Sequence, residues 1–253
     1  MGSEILIPFV LTFFAGLSTV LGAFIFLNHL SCQRKHLGFF LGLSAGAMIY
    51  LSFVELLPEA IASLGFVKAN LYFFIGIVLM ALLDFLIPHH YLEQRACRKY
   101  RVTNKKLYST GFMIALGLAI HNFPEGMAVF AGSLANLKLG LLLAVAIAIH
   151  NIPEGIAVAA PIYHATENKP KAIKYSFISG MAEPLGAILA YLLFGQYLSE
   201  QLLSYIFALV AGIMVYISLD ELLPTSYRDA QGHQALLGIV MGMIIVSLSL
   251  TII

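Results

Sequence analysis

Eight apolar segments follow one another through the chain, at about 5–28, 37–58, 70–90, 108–131, 138–162, 172–194, 202–223 and 235–253. Each holds roughly 20 residues, the number an α-helix needs to cross the hydrocarbon of a bilayer. A spanning backbone in lipid must satisfy its own hydrogen bonds, so segments of this kind are helices. The connections are short, and none is long enough for a soluble domain. The pattern predicts an all-α integral membrane protein: a single polytopic domain over 1–253 with eight transmembrane helices. Composition agrees, with 60% hydrophobic and 11% charged residues, where soluble domains are about half apolar and a quarter charged.

The net charge of +1 gives no support to a nucleic-acid partner; the bilayer is the expected surrounding. No basic run precedes the first apolar segment and no A-x-A site follows it, which predicts a retained span rather than a secretory signal. Cys32 and Cys97 belong to no C-x-x-C pair, so neither a thiolate metal site nor a redox centre is indicated. The connections 1–2, 3–4, 5–6 and 7–8 hold 12 of the 14 Lys and Arg residues, and the opposite side has Lys68 and Lys138. Positive charge stays on the cytoplasmic side, so both termini are expected outside and both cysteines inside, as reduced thiols. The basic 93–106 connection reads as a determinant of this topology.

Two internal matches organise the interior. AGAMIYLSFVELLP begins at Ala45 in span 2, and AGIMVYISLDELLP begins at Ala211 in span 7. AIHNFPEGMAV begins at Ala119 in span 4, and AIHNIPEGIAV begins at Ala148 in span 5, agreeing at nine of eleven positions. In the assigned topology each match joins spans of opposite sense. That predicts an inverted repeat, arranged as three spans, a central pair and three spans, with a site near the midplane.

The second match carries the chemistry. Residues three or four apart share a helix face, so His121, Asn122 and Glu125 form one stripe, and His150, Asn151 and Glu154 another. A carboxylate in mid-membrane costs about 2.5–3.5 kcal/mol on insertion scales and is expected to face the interior. Glu125 and Glu154 facing each other repel unless a cation or protons intervene. Two imidazoles with two carboxylates suit zinc. Pro124 and Pro153 cannot donate to the carbonyls of Ile120 and Ile149, which predicts kinks there. Gly126 and Gly155 permit close helix approach. Glu183 in span 6 adds a third carboxylate. With Asn122, Asn151, Glu125 and Glu154 it makes an oxygen-rich second site, suited to harder ions such as Mn(II) or Fe(II).

These residues resemble the ZIP (Zrt- and Irt-like protein) family of metal transporters, in its bacterial zinc-uptake branch. The resemblance covers the whole chain and rests on HNFPEG at 121–126, HNIPEG at 150–155, AEPLGA at 182–187 and LIPH at 86–89. It implies eight helices arranged three, two, three with both termini outside the cytoplasm. It also implies import of divalent metal across a bacterial inner membrane, zinc first, with Fe(II), Mn(II), Co(II) and Cd(II) as further candidates. Carried over by position, the zinc site is His121, Glu125, His150 and Glu154. The adjacent site is Asn122, Glu125, Asn151, Glu154 and Glu183. Many members have a His-rich connection between spans 3 and 4; here it is basic, so no metal-sensing role is expected of it.

The ion is cargo in this reading, and no prosthetic group is expected. Transport proceeds by alternating access, with Glu55 and Glu59 at the outer mouth and Asp220 and Glu221 at the inner one. Asp84, His89 and His90 are candidates for the exit path, and His164 and His233 are expected to be solvated loop residues. Small-residue faces suit packing within the chain or a homodimer. Export is the nearest rival. An intramembrane metal-dependent hydrolase is a more distant one: H-E-x-x-H is missing and no spare general base remains, so the chain does not read as an enzyme.

Overall fold

The structure is a computed structural model that describes residues 2–29, 34–86, 104–194, 199–230 and 233–252. Within the described helices some side chains, His121 among them, are left out of the account. All regular structure among the described residues is helical: α1 (Gly2–His29), α2 (Arg34–Leu51), α3 (Leu57–Leu64), α4 (Phe66–Leu86), α5 (Asn104–Ala135), α6 (Leu137–Thr166), α7 (Lys169–Gly180), α8 (Ala182–Phe194), α9 (Glu200–Ile217), α10 (Leu223–Asp229) and α11 (Gln234–Ile252). π-Helical turns at Ser52–Leu56 and Ser218–Leu222 join α2 to α3 and α9 to α10. Seven helical segments among the described residues are long and apolar enough to cross a membrane. The 32-residue α5 carries the first HNxPEG motif.

The helices overrun the apolar segments that predicted them. The second continues to Leu64 and the seventh to Asp229, because polar residues at a helix end can extend into the interface without leaving the helix. His164, expected in a loop, lies in the last turn of α6 with its ring 5.9 Å from that of Phe26. Span 6 differs more. Pro184 has no N–H to offer the carbonyl of Gly180, and the helix breaks between them at Met181 (φ −71°, ψ −7°). Its second half restarts as α8 with Glu183 in the first turn, where the helix dipole favours a carboxylate. Pro124 and Pro153, by contrast, lie inside helices that are assigned without interruption.

The matched segments of spans 2 and 7 fold alike. In each, a proline (Pro58 or Pro224) follows a π turn, in which Leu57 donates to the Ser52 carbonyl and Leu223 to that of Ser218. The wider turn absorbs the missing proline N–H. Ser52 Oγ donates to the Met48 carbonyl at 2.8 Å, and Ser218 Oγ to that of Met214 at 2.7 Å.

Small residues set which helices touch. A Cβ on Gly155 would fall 1.8 Å from the Thr19 carbonyl oxygen, bringing α6 onto α1, and one on Gly126 would fall 2.0 Å from that of Glu183, bringing α5 onto α8. Gly46 meets the Ile239 carbonyl of α11, and its repeat partner Gly212 meets that of Phe73 on α4, each at 2.0 Å. The helices sort into two groups. In one, α1, α5, α6, α7 and α8 interlock through backbone; in the other, α2 with α11 and α4 with α9 do so, the two pairs meeting at the π turns. None of the glycine backbone contacts among the described residues crosses between the groups. The two groups meet where α2 lies on α6 and α9 on α5. α6 and the Gln201–Arg228 segment are the most buried of the seven apolar segments, each with 67% of its apolar window buried, against 22% for α4 and 28% for α11.

Gly212→Ala is expected to lower the thermal midpoint of the detergent-solubilised protein, by overpacking worth about 1–3 kcal/mol. Gly117→Ala, with nothing within 4 Å of the added methyl, is expected to leave it unchanged or raise it slightly. Melting curves of the two variants beside the parent check both.

Candidate metal centre

The two HNxPEG stripes face each other across α5 and α6, and the first turn of α8 closes the same space. Asn122, Glu125, His150, Asn151, Glu154 and Glu183 are all fully buried. His150 Nε2 lies 3.1 Å from Glu125 Oε2, so the imidazole of α6 meets the carboxylate of α5. Asn122, with its amide nitrogen turned to meet acceptors, donates to the Leu118 carbonyl at 2.9 Å and to Glu154 Oε2 at 3.2 Å. Asn151 does not mirror this. Its amide donates to Glu183 Oε1 and, at 3.1 Å, to the Ala15 carbonyl on α1. His121 is on α5 one residue before Asn122; its side chain lies outside the described residues.

Charge is the dominant fact here. Three carboxyl groups are buried together, and no Lys or Arg among the described residues is buried with them. Glu125 Oε1, Glu183 Oε2 and Asn151 Oδ1 are buried oxygens with no hydrogen-bond partner among the described residues. Buried acceptors without donors are costly, and bound cations or protons relieve that cost. Imidazole nitrogen with carboxylate oxygen fits zinc, and the Asn and Glu oxygens fit harder ions. Among the described residues no three His, Cys, Asp or Glu side chains are yet gathered closely enough to hold one ion. The donors are held instead in cross-helix pairs.

Hydroxyls join the site that spacing alone did not reveal. Ser44 on α2 donates to Glu154 Oε1 at 3.3 Å. Thr19 on α1 and Ser179 on α7 are fully buried, and neither hydroxyl has a partner among the described residues. The outer candidates lie apart from this cluster. Glu55 and Glu59 sit on the π turn and α3 of span 2, half-exposed and exposed, and Asp220 and Glu221 on the matching π turn of span 7. Asp84 is buried on α4 and accepts a hydrogen bond from Tyr216 of α9 at 2.9 Å, which ties those two helices together. His233 is exposed just before α11. His89, His90, Cys32, Cys97 and most of LIPH lie outside the described residues.

Comparison with known proteins points the same way. The family model described as "ZIP Zinc transporter" matches residues 87–250. The chain is 45% identical to the "Zinc transporter ZupT" of Chlorobium chlorochromatii, over 99% of this chain and 98% of that one. It is 44% identical to the protein of the same name from Oceanobacillus iheyensis, over 98% of each. With the one from Chlorobium phaeovibrioides the identity is 47%, over 95% of this chain and 96% of that one. A family match over more than half the chain, and near-full-length relatives at such identity, place it without ambiguity: the chain belongs to the ZIP zinc transporter family.

Proposed function

We propose that this protein imports divalent cations, zinc first, into the cytoplasm through the centre between α5, α6 and α8. The observation that carries this reading is the set of three fully buried carboxyl groups beside His150, with no buried Lys or Arg among the described residues. Such a set is stable in a bilayer only when it binds cations or protons. The relatives' shared name, zinc transporter, supports zinc as the substrate. Fe(II) and Mn(II) are secondary substrates, favoured by the oxygen donors of Asn122, Asn151 and Glu183. The zinc ligands are His121, Glu125, His150 and Glu154.

The architecture is one domain over 1–253 with eight spans arranged three, two, three as an inverted repeat, both termini outside the cytoplasm of the cell membrane. Its helix pairing supports the repeat. Exchanging spans 1, 2, 3 and 4 for 6, 7, 8 and 5 turns the α1–α6 contact into the α5–α8 contact, and the α2–α11 contact into the α4–α9 contact. Transport is by alternating access. The group containing α5 and α6 carries the ion, interlocked by backbone, and slides along the other group, with which it shares none of the glycine backbone contacts among the described residues. Glu55 and Glu59 attract the ion at the outer mouth, and Asp220 and Glu221 receive it at the inner one. The small-residue faces leave room for a homodimer.

In proteoliposomes loaded with a zinc-sensitive dye, the parent protein is expected to admit zinc, and the double variant Glu125→Ala with Glu154→Ala to lose at least 90% of that flux. Retained uptake would remove these residues from the site. Protons compete with the ion for imidazole and carboxylate. Zinc uptake at limiting zinc is therefore expected to fall as the pH is lowered from about 7.5 to 5.5. Initial rates across that range check it. Topology has its own test: a membrane-impermeant maleimide added to intact cells should leave Cys32 and Cys97 unlabelled, and labelling from outside would invert the orientation.

A further inference from the structure

We infer that Ser44 is a positioning residue of the transport cycle, holding Glu154 from the opposite helix group and releasing it when the groups move. This rests on the alternating-access reading above. Ser44 is fully buried on α2, and its hydroxyl donates to Glu154 Oε1 at 3.3 Å. The hydrogen bonds His150 to Glu125, Asn122 to Glu154, and Asn151 to Glu183 and Ala15 each stay within one group. The Tyr216 to Asp84 bond stays within the other. The Ser44 bond crosses from one group to the other, at the residue proposed to carry the ion.

The repeat shows why this contact has a direction. Aligning Ala45 with Ala211 places Ser44 opposite Val210. Val210 makes no hydroxyl contact. It lines a cleft of about 620 Å³ between α4, α5 and α9, together with Phe123 and Met127 of α5. One side of the ion-carrying group is therefore tied to its neighbour by a hydroxyl, and the related side faces an apolar cleft. A contact made in one arrangement and lost in the other is what biases a two-state equilibrium. The acceptor of the Ser44 bond is a carboxylate, which makes its loss felt.

The test reads the equilibrium directly. Spin labels at Val67→Cys and Leu137→Cys, in a background of Cys32→Ser and Cys97→Ser, sit on exposed positions of the two groups. Pulsed dipolar spectroscopy in lipid nanodiscs without added zinc is expected to give two distance populations. Ser44→Ala is expected to shift their ratio about three- to tenfold away from the parent's major population. In a Glu154→Ala background the same substitution is expected to shift nothing, because its partner is already gone. An equal shift in both backgrounds means Ser44 acts through packing, and no shift in the parent background means it does not bias the cycle; either overturns the proposal. A single population in the parent, at every zinc concentration, overturns the alternating-access reading itself and the role of Ser44 with it.

Discussion

Three carboxyl groups buried in the middle of an apolar bundle, with no buried basic side chain described beside them, set the terms for everything around them. In lipid there is no water to share the charge, so the groups must be packed close to partners that can answer it. The glycines achieve the closeness. Gly126 and Gly155 follow Glu125 and Glu154 by one residue and bring α8 and α1 within backbone contact of α5 and α6. Gly126 rests against the carbonyl of Glu183 itself, so a side chain there would push the third carboxylate away from the first two. Residues that read as packing and residues that read as chemistry are in this respect one device.

The same duplicated motif yields two unequal half-sites. Asn122 reaches across to Glu154, whereas Asn151 turns to Glu183 and to α1. Glu154 accepts from hydroxyl and amide donors, while one oxygen of Glu125 has no partner among the described residues. An inverted repeat does not have to be symmetric at any instant. When the two halves exchange arrangements to open opposite faces, each frozen structure shows them differing. The departure from two-fold symmetry at the centre is thus compatible with the alternating mechanism proposed above for matched halves.

Much of this was legible in the amino-acid sequence, and the parts that were not share a physical cause. Charged and amide residues in apolar spans have few readings, so His150, Asn122, Asn151, Glu125, Glu154 and Glu183 were expected to face the interior, and the structure buries all six. Hydroxyls do not. A serine in an apolar helix commonly bonds its own preceding turn, as Ser52, Ser133 and Ser218 do with Met48, Val129 and Met214. Nothing local distinguishes Ser44 from them; only the neighbouring helix supplies Glu154 as a partner. Span ends were legible to within a turn or so and then overrun, because apolar length measures the hydrocarbon and not the helix. The seventh span's π turn was equally hidden: the repeat showed that spans 2 and 7 match, without showing what backbone they share.

Proline separates local rule from tertiary outcome most clearly. Pro124, Pro153 and Pro184 each deprive a carbonyl four residues earlier of its donor. Two of the helices run on, and the third breaks at Met181. Sequence around each proline is similar, with an acidic residue adjacent and a glycine close behind, so the difference lies in the setting. At Glu183 the carboxylate precedes its proline, and a break there turns a helix N-terminus toward the site, where free N–H groups and the helix dipole favour negative charge. At Glu125 and Glu154 the carboxylate follows its proline and projects from an intact helix wall. In a bilayer, irregular backbone is tolerated only where it is buried in protein or lines a polar cavity. The break therefore falls at the one span that must present its carboxylate from a helix end, while the two central helices keep the length needed to carry their donors as a unit.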